Sequence, residues 1–179
     1  MQETSRFFSV LDALEKILGA LSRLVEKISD AVVILCGFVI IATLALAVLT
    51  RYTALASFLW TDEVARYSMI WMAFLGASSA LKKGEFLAFD LLVSKIRGRA
   101  QAYAGLAITI CCLVFLGIFL HCGLEALPIT WIQKSSALGL PMFYPALGII
   151  VGCAFMGVHL LLKLAVETRQ LFFQNTGSR

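Results

Sequence analysis

Charge is scarce in this sequence, and proline and histidine are scarcer. Only 15% of the 179 residues are charged and 60% are hydrophobic, with a mean hydropathy of +0.91; soluble domains carry about 25% charge and 45 to 50% apolar residues. That balance excludes a soluble globular domain and makes the chain an integral membrane protein. Two histidines, and five cysteines (Cys36, Cys111, Cys112, Cys122, Cys153) that all lie in apolar runs, supply no metal-like ligand spacing, so the cysteines read as small apolar filler and no metal is expected. No nucleophile stands beside a base and no glycine-rich phosphate loop is present, so neither an enzyme nor a cofactor is expected. The net charge of +4 is spread over three separate segments, which gives nucleic acid no footprint.

What the sequence has in quantity is long apolar runs. Four uncharged stretches, 31–50, 67–81, 100–124 and 135–162, predict four membrane-spanning helices, because loops cannot cross lipid with unpaired peptide groups. The expected spans are 31–51, 60–82, 100–125 and 141–163, and residues 1–179 form a single membrane domain. Pro141 and Pro145 suit the first turns of the last span, which leaves 135–140 as a re-entering or interfacial segment. Lys and Arg divide twelve to three between alternate sides, so the positive-inside rule places both termini and the central loop in the cytoplasm.

Two further segments are amphipathic. Over 6–29 the residues Phe7, Val10, Leu14, Ile17, Leu21, Leu24 and Ile28 share one face, with Asp12, Glu15, Lys16, Arg23, Glu26 and Lys27 opposite. This predicts a helix lying along the cytoplasmic membrane surface, with packing on a partner protein as the other reading. Phe86, Phe89 and Leu92 predict a short interfacial helix over 85–97 in the central cytoplasmic loop.

The second span is the unusual one. Its uncharged run of 15 residues reaches only about 22 Å at ~1.5 Å per residue, against a hydrocarbon core of roughly 30 Å. Extension back to Trp60 supplies the missing length and carries Asp62 and Glu63 to the boundary, four and three residues before Arg66. Arg51 arrives at the same face, so a near-neutral cluster of two carboxylates and two guanidiniums is expected there. Gly76, Ala80 and Gly84, and Gly148 with Gly152, have the spacing of helix contacts, either within this bundle or toward a partner. His121, Glu125 and His159 lie near span ends, where interfacial pairing is the expectation. With no carboxylate at mid-membrane, the chain is suited to holding position rather than moving solute.

Arg51, Trp60-x-x-Glu63-x-x-Arg66, Trp71, Gly76, Ala80, Lys83, Glu85 and Asp90, followed by Ser136-Ala137-Leu138-Gly139-Leu140-Pro141, Tyr144 and Pro145, resemble the small membrane subunit of tripartite ATP-independent periplasmic (TRAP) transporters. Phe86 departs from the His common in that family. The resemblance implies a bacterial inner-membrane protein in a sodium-coupled importer of small organic acids, of the C4-dicarboxylate or sialic acid class. Its partners would be a large multi-span membrane subunit, a periplasmic substrate-binding protein and membrane lipid. The small subunit would brace the large one and help dock the binding protein, with Arg51, Trp60, Asp62, Glu63, Arg66, Trp71, Gly76, Ala80, Glu85 and Asp90 as structural or interface positions. An assembly or sensor subunit of an unrelated complex is the alternative.

Overall fold

No glycine or proline interrupts residues 20 to 36, and the first helix accordingly runs through without a break. The computed structural model describes residues 2–52, 60–83 and 99–176, and these form four α-helices. Helix α1 is Gln2–Tyr52, α2 is Trp60–Lys83, α3 is Arg99–Ile132 and α4 is Phe143–Thr176. The segments expected separately at 6–29 and 31–51 are thus one helix of 51 residues, about 76 Å long at ~1.5 Å per residue. The break that a separate surface-lying segment would need at its boundary is absent from α1. Glu85, Asp90, Gly84 and the interfacial helix expected over 85–97 lie outside the described residues.

Two other boundaries differ from expectation. Helix α3 continues past Glu125 and carries Pro128 inside its last turns, ending at Ile132. A proline there forfeits one backbone bond, and the helix goes on: the Thr130 hydroxyl donates to the Leu127 carbonyl at 2.8 Å, and the Gln133 amide to the Ile129 carbonyl at 3.3 Å. Helix α4 begins at Phe143 and runs to Thr176, so its polar end extends well beyond Leu162.

Among the described residues, three helices contain stretches long and apolar enough to cross a membrane: Lys16–Tyr52, Tyr103–Ile132 and Phe143–Arg169. Helix α2 is long enough, at 24 residues, but is less apolar because its charges sit at both ends. Asp62 and Glu63 occupy its first turn and Lys82 and Lys83 its last, the arrangement that complements the helix dipole.

Helices α2 and α4 form the middle of the bundle. α1 packs on both of them, α3 packs on α4 alone, and among the described residues α2 and α3 do not touch. The contact faces are built from small residues. Ser22, Ser29, Ser78, Ser79 and Thr109 are buried, with Leu75 the largest side chain fully enclosed. Close approach through small side chains is a main source of helix association in lipid. Outside this seam α1 exposes Ile34, Leu35, Phe38 and Ile41, as a lipid-facing surface requires. Thr43 and Thr50 return their hydroxyls to carbonyls of their own helix, Val39 at 2.8 Å and Leu46 at 3.0 Å.

Candidate functional site

The charges that bring α2 to the membrane boundary do not pair with one another. The Glu63 carboxylate instead reaches the α3–α4 connection, where it accepts the Ala137 amide at 2.9 Å, the Leu138 amide at 3.0 Å and the Ser135 hydroxyl. That connection is a tight hairpin. Lys134 and Pro141 bridge in antiparallel fashion, the Ser135 amide donates to the Leu140 carbonyl at 2.9 Å, and Gly139 turns the chain at φ 65°, a conformation that favours glycine. The carboxylate is held by converging backbone amides much as an anion is held in a nest. Among the described residues no ion pair joins Asp62 or Glu63 to Arg66 or Arg51, and Asp62, Arg66 and Arg51 are exposed. The four charges lie at the ends of α1 and α2 without an ion pair among them, and the contact that Glu63 makes is a latch on the 135–138 turn. An exposed pair three residues apart contributes little, whereas bonds from several donors to one carboxylate are individually stronger.

Below this latch Trp71 staples α2 to α4. Its Nε1 donates to the Tyr144 carbonyl at 3.1 Å, and a Cβ on Gly148 would lie 3.0 Å from its indole ring. One turn further, a Cβ on Gly152 would come within 2.5 Å of Phe74 Cβ and 2.9 Å of its carbonyl carbon. Gly148 and Gly152 thus serve the bundle's own α2–α4 contact, and a Cβ on Gly76 would lie 3.9 Å from Val33 of α1. Trp60, exposed Trp131, which meets Phe143 edge-on at 4.8 Å, and Tyr144 and Tyr52 gather at this same end. Such aromatics mark the membrane–water boundary. Ala80 is half-buried near the other end of α2.

That opposite end holds a polar network of which the sequence pattern showed only a charged helix face. Lys82 meets Glu26 at 2.6 Å, Lys83 meets Asp30 at 3.1 Å, and the Ser79 hydroxyl donates to Asp30 at 2.5 Å. Ser22 Oγ lies 2.8 Å from His159 Nδ1, and the Thr109 hydroxyl donates to Glu167 at 2.9 Å. All four helices are tied there. Ser22, Glu26 and Asp30 recur every four residues, on the face of α1 that the apolar stripe leaves free; that spacing, with two lysines ending α2, is the signal that could have revealed the network. Ile17, Leu24 and Ile28 of the stripe point away from the bundle. His121 and Glu125 pair outward on α3 at 3.4 Å.

Reversing one partner of the Lys82–Glu26 pair is expected to loosen the α1–α2 seam. The double exchange, Glu26→Lys with Lys82→Glu, is expected to restore most of what either single change loses. Thermal unfolding of the four variants in detergent gives the coupling, expected at about 0.5 kcal/mol or more for partners in direct contact.

Among the described residues, the contacts of both polar ends join helices. The fold and the two polar ends define a membrane-embedded helical component whose charged groups secure its own architecture. The sequence model of the DctQ component of tripartite ATP-independent periplasmic transporters matches residues 40–170, and the chain belongs to that family. It is also similar to the isethionate TRAP transporter permease protein DctMQ of Oleidesulfovibrio alaskensis, at 30% identity over 116 residues. That match covers 64% of this chain and 18% of the relative, so the chain spans under a fifth of that protein's length. The chain is thus a small membrane component of a TRAP-type transporter.

Proposed function

We propose that this subunit is the stationary brace of a sodium-coupled importer of small organic acids. It would sit in the bacterial inner membrane with four spans and both termini cytoplasmic. The Glu63 latch is the observation that carries the reading. A carboxylate consumed by three internal donors is unavailable to a solute, and it fixes the neighbouring ends of α2, α3 and α4 as one surface, which this reading puts on the periplasmic side. Alternating access needs one part of the machine to stay still while another moves. The aromatic belt at one end and the lysine–carboxylate network at the other lie about 35 Å apart along α2, close to a bilayer's thickness, which supports counting α2 as the fourth span.

The partners in this reading are a large multi-span membrane subunit, against which the brace packs, and a periplasmic substrate-binding protein, which docks near the 133–142 hairpin. Arg51, Asp62 and Arg66, exposed beside the latch, are free to meet that protein. The substrate is a small organic anion; the C4-dicarboxylate and sialic acid classes are joined by sulfonates, through the relative named for isethionate. Purification in mild detergent tests the assembly. Co-isolation of a much larger multi-span chain is expected, and isolation of this chain alone from cells that express both would contradict it.

A further inference from the structure

Helices α2 and α3 flank α4 without touching each other, and the space between them is an apolar groove of about 370 Å³. Phe74, Ile108, Cys112, Phe115, Met156 and Leu160 form its walls. At the Glu26 end it meets a second cavity of similar volume, because Leu81 and Lys163 belong to the walls of both. This second chamber is the more polar of the two. Lys82, Lys163, Glu167, Ser22 and His159 line it.

His159 is 4% exposed, and although its Nδ1 faces Ser22, its Nε2 is buried with no partner. A buried polar atom without a partner is costly, and one that borders a cavity calls for a ligand there. In the tautomer in which Ser22 donates to Nδ1, Nε2 carries the proton and requires an acceptor. The charges of the chamber are also incompletely matched. Lys82 is engaged by Glu26 at 2.6 Å, but Lys163 and Glu167 stand 3.9 Å apart, beyond hydrogen-bond distance, and each can take a further partner.

We propose that the groove and the chamber together are a binding site for one zwitterionic aminophospholipid. One acyl chain lies along the groove, the phosphate accepts from Lys163 and His159 Nε2, and the headgroup ammonium donates to Glu167. An apolar slot opening into a more polar, charge-bearing chamber near the membrane boundary has the division of a phospholipid, and this position along the spans is where headgroups begin. One cation and one anion open to partners give the chamber no net charge to spare, which favours a zwitterionic headgroup over an anionic one. A bound lipid would fill the gap that α2 and α3 leave and so complete the bundle.

Native mass spectrometry of the full chain, stripped of lipid by detergent washing and then offered phosphatidylethanolamine, phosphatidylglycerol or phosphatidylcholine, tests the site. One phosphatidylethanolamine per chain is expected to survive activation that removes the other two. Lys163→Gln is expected to reduce that bound fraction about fivefold or more, the effect of losing one charged hydrogen bond. The unaltered chain provides a second readout. Cys112, in the groove wall, is expected to react with a maleimide about fivefold more slowly with phosphatidylethanolamine bound, the change that occupancy of most chains would give, while exposed Cys111 keeps its rate. Equal retention of all three lipids, or adducts that rise past one per chain with no protection of Cys112, would overturn the proposal. Protection of Cys112 only when a larger membrane subunit is present would also overturn it, by showing the groove to be a protein contact.

Discussion

Glu63→Ala is expected to open the 133–142 hairpin and to lower uptake by the assembled transporter by about tenfold or more, since it strands three donors at once. The amides of Ala137 and Leu138 and the Ser135 hydroxyl would have to find water or reorganise, and Gly139 would no longer be held in one turn. Limited proteolysis reads the opening directly: cleavage within 133–142 should accelerate by a similar factor while the helices remain resistant. Glu63→Gln keeps one acceptor oxygen and should fall between the two. Arg66→Gln is the decisive companion, because Arg66 has no described tie to Glu63; hairpin cleavage should stay at the parental rate. Equal sensitivity of Glu63 and Arg66 variants in that assay would mean that the two form a pair after all.

The second large effect belongs to Gly152. Alanine there places a Cβ 2.5 Å from Phe74 Cβ and 2.9 Å from its backbone carbonyl carbon, so α2 and α4 must separate. Backbone cannot turn aside as a flexible side chain can. Overfilling of this kind costs about 1 to 3 kcal/mol. Gly157→Ala, where nothing lies within 4 Å, shares whatever helix propensity alanine brings and carries none of the clash. Unfolding in detergent should therefore place Gly152→Ala about 2 kcal/mol below Gly157→Ala, or about 4 to 8 °C in Tm for a chain of this size. Gly148→Ala should lie between them, since it meets an indole that can tilt, although Trp71 would then strain its bond to Tyr144. Matching stabilities for Gly152→Ala and Gly157→Ala would show that the α2–α4 seam is looser than described here.

The residues that could be read from sequence, and those that could not, divide by distance along the chain. Long uncharged runs locate the helices, because lipid leaves the backbone no other option, and the short run at 67–81 pointed to a helix extended back over Glu63, which lies in its first turn. Its partners are another matter. Helical spacing reveals neighbours three and four residues away, such as Arg66, whereas Ser135 and Leu138 lie more than seventy residues on and become neighbours only when α4 folds back on α2. Gly148 and Gly152 announced a contact by spacing, but only coordinates show that Trp71 and Phe74 fill it. The partners of Glu26 and Asp30 were hidden for a different reason: a charged helical face usually meets water, and here it meets the lysines that end α2. The boundary between an amphipathic and a spanning segment in α1 was drawn from composition, to which backbone continuity is indifferent.

The central claim is that this subunit braces a transporter and leaves movement of the solute to a larger partner. Uptake of a radiolabelled small organic anion into proteoliposomes under an inward sodium gradient tests it most directly. Vesicles holding this chain alone should accumulate nothing above background, and uptake should appear only when the large membrane subunit and the binding protein are added. Sodium-driven accumulation by this chain as the sole protein would contradict the account.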